Sequence, residues 1–598
     1  MEKKPQIVRN FFVIVVLVFL SSAAPLLGQS SADRELDRIL EREWSRLMSH
    51  QPLLAIYLGE KSDREWPAST PSSRESDSRH YREVIEELNA LEQSELSAEQ
   101  TLNLRLFREQ LQWQVERHRH GLDLFVMNQR DGLHTAATLA DSLSFESLED
   151  YRRWVERLES FPRYAQLERA TLQESLEQGR VHPKIIAERM LDRVRVQPPL
   201  HADGEKSPFY EPFLKGEAKF GGDREYEDLK VRAVSAIENG IAPEFVRLVA
   251  FLEQVYLPAA PRKVGLGNLP GGEEAYRFLV RRYTTTDLTP DQIHGIGLSE
   301  VERIRNSMEK IKSEVGFEGT LEQFFDHLRG APEHYTSDPR ELLQRYRSFC
   351  KQVDGQMPKL FKTLPRKPYG VEPIPDYIAP ATTTAYYLPG AGHLAGTYYV
   401  NLYKPETRAF FEIPALSLHE SVPGHHHQIA LAQELSALPK FRSKSDGFGD
   451  YTVFVEGWAL YAESLGEEMG LYKDPYDRFG RLTYEMWRAI RLVVDTGIHA
   501  KGWSREQAIE YFLSNSPRSE LDVTNEIDRY ISWPGQALAY KTGELEIKKL
   551  RRMAEAELGA KFSLPEFHDA VLKEGAVPLS QLRRQVRSYV QAASRQRK

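Results

Sequence analysis

The ten residues HESVPGHHHQ, at positions 419–428, begin like the metal-binding motif H-E-x-x-H but carry a proline where its second histidine belongs. In that motif the two histidines are four residues apart, whereas six residues separate His419 from His425. Six residues turn a helix by about 600°, which leaves the second side chain about 120° off the shared face. A regular helix across this stretch therefore cannot bring both histidines to one metal ion.

Pro423 and Gly424 indicate that the helix is interrupted at this point. Proline has no N–H to donate and its ring crowds an earlier carbonyl, while glycine tolerates an irregular backbone. If these two residues loop out, the spacing of H-E-x-x-H is restored, and such bulges occur at functional sites. We therefore predict His419 and His425 as ligands, with His426 about 10 Å further along and out of reach. The alternative is a polar surface rich in histidine.

A third ligand is predicted in VEGWALYAE, residues 455–463, which form a strongly apolar helical segment. A carboxylate buried there is costly unless it is paired or bound to a metal, so we assign Glu456 as the ligand. Glu463 follows two helical turns later and is predicted to accept a hydrogen bond from a ligand histidine. The alternative is that Arg488 or Arg491, on the next helix, neutralises these carboxylates.

These residues are the parts of a zinc hydrolase site. Three protein ligands, an open position for water and a carboxylate that takes the proton from that water are what zinc-dependent hydrolysis requires. Glu420, next to a ligand, is the predicted general base. Imidazole and carboxylate ligands favour one zinc ion per chain, although manganese and cobalt use the same ligands.

The composition is that of a globular protein. The chain has 598 residues, of which 41% are hydrophobic and 28% are charged. The net charge of −8 argues against nucleic acid as a partner, because phosphate binding requires a basic surface. We expect a mainly α-helical protein with a small β-sheet beside the active site.

The N-terminus has the layout of a secretory signal peptide over residues 1–28, with a basic start and the apolar run FFVIVVLVFL. A membrane anchor is the alternative, but ten apolar residues fall short of the roughly 20 that span a bilayer. Cys350 is the single cysteine, so neither an internal disulfide nor a lipid-linked N-terminal cysteine is expected. We expect a periplasmic or secreted protein with no stable membrane anchor after cleavage.

Helical periodicity dominates the chain after Ser31. We expect one domain over 29–598, with an N-terminal helical part at about 29–260, a catalytic part at about 261–560 and C-terminal helices at 561–598. Stretches rich in proline and glycine predict loops at 196–225 and 261–276, and alternating aromatic and β-branched residues predict strand structure within 384–403. Further helices are predicted at 291–315, 451–469, 476–501, 504–514 and 536–559.

Four stretches together resemble the bacterial domain-of-unknown-function family 885: HESVPGHHHQ, VEGWALYAE, RLVVDTGIHAKGW (491–503) and ISWPGQALAYKTGELEI (531–547). The resemblance implies a zinc metallopeptidase of the Glu-zincin kind. It also implies the two-lobed helical fold of thimet oligopeptidase, carboxypeptidase Taq and angiotensin-converting enzyme, with a deep cleft. By motif, His419, His425 and Glu456 match the ligands and Glu420 the base. Dipeptidyl peptidase III has one extra residue in this motif, whereas this chain has two, and the arginine expected before Gly396 is absent.

The same resemblance implies a late tyrosine or histidine that stabilises the oxyanion of the reaction. Tyr540 is the first candidate and His499 the second, and Tyr530 is a further candidate that we assign to substrate binding. The strand at 396–402 is expected to align a short peptide by strand addition, with Tyr398 and Tyr399 in contact with it. The alternatives are a non-catalytic exported binding protein and a hydrolase of esters or of non-peptide amides.

Overall fold

The structure is a computed structural model. It describes residues 30–60, 65–67, 69–196, 203–376, 378–390, 394–444 and 450–595. The signal peptide expected at 1–28 lies outside the described residues. In the described part of the chain, no helix is both long enough and apolar enough to cross a membrane.

The prediction of a mainly α-helical protein with a small sheet is confirmed. The helices of the first half are α1 (Ser31–His50), α2 (Pro52–Tyr57), α3 (Pro71–Asn89), α4 (Ala98–Arg119), α5 (Leu148–Glu177), α6 (Lys184–Arg195), α7 (Glu211–Phe220), α8 (Arg224–Ala236), α9 (Ala242–Phe251), α10 (Leu257–Ala259), α11 (Gly272–Thr284) and α12 (Pro290–Glu314). The later helices are α13 (Leu321–Gly330), α14 (Pro339–Asp354), α15 (Met357–Leu360), α16 (Ile413–Glu420), α17 (His425–Glu434), α18 (Lys440–Ser443), α19 (Thr452–Ser464), α20 (Pro475–Lys501), α21 (Arg505–Leu513), α22 (Glu520–Ser532), α23 (Ala539–Leu558), α24 (Leu564–Leu572) and α25 (Leu579–Arg595).

The predicted helices at 291–315, 451–469, 476–501, 504–514 and 536–559 correspond to α12, α19, α20, α21 and α23. Local signals set their ends: Thr289 and Gln292 form a capping box at the start of α12, and Gly502 ends α20 in the left-handed conformation. The predicted loop at 196–225 is partly wrong, because α7 lies within it. Pro212, in the first turn of α7, is compatible with a helix start.

Within the described residues the sheet has three strands: β1 (Tyr369–Pro373), β2 (Ala385–Leu388) and β3 (Gly396–Val400). Their order is β1-β3-β2, with β1 parallel and β2 antiparallel to β3. The central strand β3 therefore has both of its edges hydrogen-bonded within the sheet. This corrects the expectation that a substrate adds to β3, because among the described strands β1 and β2 form the edges of the sheet.

Glycine contacts set the spacing of the helices that carry the predicted site. Where α19 passes α23, a Cβ on Gly457 would lie 2.5 Å from the Cα of Gly543. The two backbones can approach this closely only because neither residue has a side chain. The contact holds Glu456, next to Gly457, and Tyr540, one turn before Gly543, at a fixed separation.

The helix that carries the first half of the histidine motif is buried along its whole length. All eight residues of α16 are buried. Ala415 and Leu416 belong to one hydrophobic cluster of the core, while Leu418 and Val422 belong to a second one. The motif therefore lies between the two clusters, where packing on both sides restricts its movement.

Candidate metal centre

The helix is interrupted within the histidine motif, as its proline and glycine predict. Helix α16 ends at Glu420, α17 begins at His425, and residues 421–424 form a turn between them. The sequence predicts two looped-out residues, and the structure interrupts the helix over four. At Gly424 the backbone approaches the previous turn so closely that a Cβ would lie 1.9 Å from the carbonyl oxygen of His419.

Hydrogen bonds hold this turn in place. The backbone N–H of Ser421 donates to the carbonyl of Ser417 at 2.9 Å, and that of His426 donates to the carbonyl of Ser421 at 3.1 Å. The second bond spans five residues, which is the spacing of a π-bulge. The indole N–H of Trp458, on α19, donates to the carbonyl of Pro423 at 2.8 Å. The turn is thus anchored to the helix that carries the predicted third ligand.

The three predicted ligands come together from three helices. The Nε2 atoms of His419 and His425 each lie 3.4 Å from the same oxygen, Oε2 of Glu456. One potential ligand atom from each residue lies within 4.8 Å of the other two. Two atoms that bind one zinc ion at 2.0–2.2 Å with tetrahedral geometry lie about 3.4 Å apart, which is longer than a good hydrogen bond. The donors and their spacing therefore fit a zinc ion.

The electrostatics of the cluster favour a cation between these groups. Burial alone would raise the pKa of Glu456, but His425 and His419 hold it well below its usual range. Burial likewise disfavours the charged form of His419, yet the neighbouring carboxylates of Glu456 and Glu463 raise its pKa to about 9. Positive charge at this position is thus stabilised by carboxylates on α19.

Glu463 lies beside the ring of His419, where the sequence predicts a hydrogen-bond acceptor. Its Oε1 lies 2.8 Å from Nδ1 of His419, so the ring presents Nε2 to Glu456. Arg488 lies 3.6 Å from Glu463, while Arg491 pairs with Glu526. The alternative raised by the sequence therefore holds in part for Glu463, which forms an ion pair with Arg488, whereas neither arginine pairs with Glu456 within the described residues.

Glu420 is placed at the end of α16, directly after the first ligand. It is 8% exposed, and its carboxylate makes no hydrogen bond or ion pair to another described residue. Both oxygens are therefore free to accept a proton. Tyr540 also lies at the site, because its ring is nearly parallel to that of His419 with the centres 6.5 Å apart. Its hydroxyl accepts bonds from Arg529 at 3.3 Å and Gln536 at 3.4 Å.

The other histidines of the motif do not join the cluster, as predicted. His426 bonds through both ring nitrogens, to the Tyr387 hydroxyl at 2.9 Å and to the carbonyl of Lys367 at 3.0 Å. His427 packs against Phe361, with ring centres 4.5 Å apart. Burial lowers the pKa of His426 to about 4 and that of His427 to about 3, so both rings are neutral.

Three aromatic or histidine assignments are corrected by the structure. His499 accepts from the N–H of Leu266 at 3.0 Å and bonds the carbonyl of Tyr530 at 2.9 Å, so neither nitrogen is available to a reaction. Tyr530 and Tyr398 are 1% and 0% exposed, so their side chains do not face a substrate. The sequence indicated polar aromatic groups there, but it did not show that backbone and core atoms cover them.

Tyr399 lies on the opposite face of β3 from Tyr398 and stacks on Tyr386 with ring centres 5.1 Å apart. Its side chain is half-buried, so contact with a substrate stays a prediction. From the free-edge strand β2, Tyr387 lines a cavity of about 230 Å³ together with His425 and Glu456. Strand β2, rather than β3, therefore borders the site.

The same cavity contains a residue that sequence reasoning missed. Asp450 precedes α19 and lines the cavity beside Glu456 and His425. Burial and the nearby charge of Glu456 raise the pKa of Asp450 above its usual range. Its position six residues before Glu456 carries no recognisable motif, so no sequence signal identified it.

Comparison with known proteins gives a family and a fold. A family model described as "Bacterial protein of unknown function (DUF885)" matches residues 52–586. No curated protein matches the chain. The crystal structure of a protein from Colwellia psychrerythraea is similar, with 27% identity, a TM-score of 0.85, and coverage of 94% of this chain and 100% of that chain. A structure from Shewanella oneidensis is 18% identical, with a TM-score of 0.69 and coverage of 93% of this chain and 99% of that chain. At this identity the match shows the shared fold alone. Both are described as a "putative lipoprotein".

Proposed function

The chain belongs to the bacterial DUF885 family, and we propose that it is an exported zinc-dependent peptidase that hydrolyses short peptides. One observation carries the proposal: two histidine Nε2 atoms from separate helices lie 3.4 Å from one oxygen of Glu456. The neighbouring residue Glu420 provides a carboxylate that pairs with no other described residue. A metal site alone would not need this carboxylate, whereas hydrolysis needs a proton acceptor.

In this proposal His419, His425 and Glu456 hold one zinc ion. Bound zinc supplies Lewis-acid polarisation of the scissile carbonyl and lowers the pKa of water. Glu463 would hold His419 in the tautomer that leaves Nε2 free to bind the ion, because the Nδ1–H group of His419 donates a hydrogen bond to Oε1 of Glu463 at 2.8 Å. Carboxylates that orient ligand histidines in this way strengthen metal binding.

Glu420 moves the proton. Its carboxylate accepts a proton from the attacking water and then donates it to the amine that leaves when the peptide bond breaks. Tyr540 stabilises the negative charge that develops on the carbonyl oxygen. Because its hydroxyl oxygen accepts bonds from Arg529 and Gln536, its own proton is free to be donated towards the site.

The substrate and location follow from the surroundings of the site. The cavity of about 230 Å³ at His425 and Glu456 holds part of a peptide rather than a folded domain. The free edge of β2 is available to pair with the backbone of an extended peptide. A two-lobed peptidase fold of the Glu-zincin kind would supply the surrounding cleft. Export agrees with the predicted signal peptide and with the description of the Colwellia psychrerythraea structure as a "putative lipoprotein".

The first experiment measures the zinc content of purified residues 29–598 by elemental analysis, for the parent and for His425→Ala and Glu456→Gln. We expect about one zinc per parent chain and a large loss in both variants. The control variants His327→Ala and Glu318→Gln change the same residue types at exposed positions. They should keep the zinc content of the parent. No metal in the parent, or metal that both site variants retain, would overturn the ligand assignment and favour a binding protein.

The second experiment separates metal binding from catalysis. Glu420→Gln should retain zinc but hydrolyse a library of short peptides at least about 10³-fold more slowly than the parent. A zinc-loaded parent that cleaves esters or non-peptide amides, but no peptide, would replace the peptidase proposal with another hydrolase activity. Equal peptide hydrolysis by parent and variant would remove Glu420 from the mechanism.

A further inference from the structure

A second cavity lies between α4 and α6 on one side and α11 and the end of α22 on the other. Its volume is about 380 Å³, larger than the metal cavity of about 230 Å³ and within the range of small-molecule sites. Five aromatic rings line it: Trp113, Phe125, Phe278, Tyr283 and Trp533. Walls of this kind can bury the apolar body of a ligand.

The charges around this second cavity are unbalanced. Three cationic side chains line it, those of Arg117, Lys263 and Arg282, and Asp131 is the one acidic residue among its described lining residues. None of the three cations forms an ion pair or a side-chain hydrogen bond with another described residue. The lining therefore has an excess of positive charge, which favours an anionic ligand.

Acidic residues close to the cavity do not correct this imbalance. Those on the neighbouring segment have partners of their own: Glu116 with Arg119 at 3.2 Å and Asp123 with His118 at 2.7 Å. Across the wall, Asp450 lines the metal cavity. Burial raises the pKa of Asp450 and the charge of Arg282 opposes that rise, but the two side chains form no ion pair.

Arg282 lies where the positive charge and the aromatic wall meet. It is half-buried, and its guanidinium carbon is 4.6 Å from the centre of the Tyr283 ring and 5.4 Å from that of the Trp113 ring. Contact with ring faces holds a guanidinium group in place without using its N–H donors. Those donors therefore remain available to a carboxylate.

His182 adds a polar atom to the same lining. It is 3% exposed, and its ring packs on that of Phe125 with the centres 4.8 Å apart. Burial lowers the pKa of His182 to about 4, so the ring is neutral, and its Nε2 has no hydrogen-bond partner within the described residues. Buried polar atoms without a partner are uncommon in native proteins, and a polar group of a ligand would supply one.

The second cavity is next to the metal cavity but separate from it. Gln110 lines the metal cavity and Trp113 the second one, and three residues advance a helix by about 4.5 Å. The Trp113 ring meets that of Tyr451, which lines the metal cavity, edge to face at 5.3 Å. These two rings form a wall, and the two cavities share no described lining residue.

We propose that the second cavity is a ligand site, separate from the metal centre, that binds a small carboxylic acid with an aromatic body. The ring of the ligand would pack against the aromatic wall, where ring pairs gain more than their buried area alone provides. Its carboxylate would accept charge-assisted hydrogen bonds from Arg282. The site would bind this ligand whether or not the chain hydrolyses peptides.

The test separates the contributions of charge, ring and metal. The purified chain is titrated calorimetrically with 3-phenylpropanoate, with its neutral amide, and with propanoate, which lacks the ring. The titrations are repeated with Arg282→Gln and with Arg281→Gln, a matched control at the exposed neighbouring position on α11. His425→Ala removes a candidate metal ligand, and Leu269→Trp narrows the second cavity. Unfolding temperature confirms that each variant is folded.

We expect 3-phenylpropanoate to bind at least about tenfold more tightly than its amide, as one charge-assisted hydrogen bond supplies, and than propanoate, because the ring is buried. The ratio of acid to amide should fall towards one with Arg282→Gln and stay unchanged with Arg281→Gln. His425→Ala should bind like the parent. Leu269→Trp should weaken binding about tenfold or more, and it tests the site even if Arg282→Gln does not fold.

Equal affinities for acid and amide, equal affinities with and without the ring, or no measurable binding would overturn the site. Binding that is lost with His425→Ala would place the acid on the metal ion, and binding that Leu269→Trp leaves unchanged would place it outside the cavity. Both results would overturn the proposal. Failure of a zinc-loaded parent to hydrolyse peptides would contradict the peptidase proposal, but it would not change any of these affinities.

Discussion

Replacement of Gly424 by alanine should damage both the fold and the metal site. The added Cβ would lie 1.9 Å from the carbonyl oxygen of His419 and 2.4 Å from that of Leu418. Both obstacles are backbone atoms, so no side-chain rotation can relieve the overlap. The turn would have to open by about 1 Å or more to restore ordinary contact distances. Overpacking of this kind costs about 1–3 kcal/mol or more.

The same movement displaces His425, because it follows Gly424 directly and begins α17. Distortion of a ligand that is otherwise held in place reduces metal affinity by about 10–100-fold, which corresponds to roughly 1.4–2.7 kcal/mol. We therefore expect a lower unfolding temperature in EDTA and a zinc dissociation constant raised by that factor. Unfolding temperature is measured with and without zinc, and the dissociation constant by competition with a chelator.

Gly295→Ala is the matched control for Gly424→Ala. Gly295 lies within α12, and a Cβ there would meet no atom within 4 Å. Alanine should stabilise that helix by about 0.5–1 kcal/mol and leave zinc affinity unchanged. If Gly424→Ala kept the zinc affinity and EDTA unfolding temperature of the parent, the turn would not be what brings His425 to His419.

Three further predictions concern the site and its surroundings. Glu463→Gln should raise the zinc dissociation constant by about 10–100-fold, because His419 loses its charged partner at 2.8 Å. Competition with a chelator measures this constant, with Glu467→Gln at an exposed position as the control. Equal constants for the two variants would contradict the prediction. Tyr540→Phe should lower kcat by about 10²–10³-fold and leave KM and zinc content near the parent values in steady-state kinetics; an unchanged kcat would remove Tyr540 from oxyanion stabilisation. Burial raises the pKa of Glu168 to about 7, so the folded state holds this proton more tightly than the unfolded state and stability is lost as pH rises from about 4 to 7. Glu168→Gln should therefore be more stable than the parent at pH 8, by on the order of 1–3 kcal/mol, and much less so at pH 4. Thermal unfolding at both pH values, with the exposed Glu156→Gln as control, tests the sign, and a gain of equal size at both would refute it.

The sequence by itself determined the features that depend on neighbouring residues. Pro423 and Gly424 predict the interruption of the helix because the missing N–H and the missing side chain act on the local backbone. The periodicity of VEGWALYAE places Glu456 and Glu463 two turns apart on one helix face, and the structure shows both carboxylates facing the histidines. Helix period and helix interruption need no tertiary information.

The order of the sheet required the tertiary structure. Three short strands can pair in several orders, and alternation of residue types specifies a face rather than a neighbour. The structure places β3 in the centre and leaves the edge of β2 free beside the cavity. The hydrogen bonds of His499 could not be predicted from the sequence either. Its partners are backbone atoms of residues 266 and 530, which are distant from it along the chain.

The buried arginines around Glu526 show the same limit, since Arg491 and Arg529 both donate to its Oε2 atom. Arg491 and Arg529 lie on helices whose apolar pattern indicates burial, but nothing in that pattern states how many carboxylates will meet them. Arg130 comes from a turn almost 400 residues before Glu526, with which it lines one cavity. The local sequence showed which side chains have the chemistry to bind a metal ion or to accept a proton. Only the packing of distant segments decided which of these side chains meet. The reason is that the charge balance of a buried site depends on every segment that packs around it.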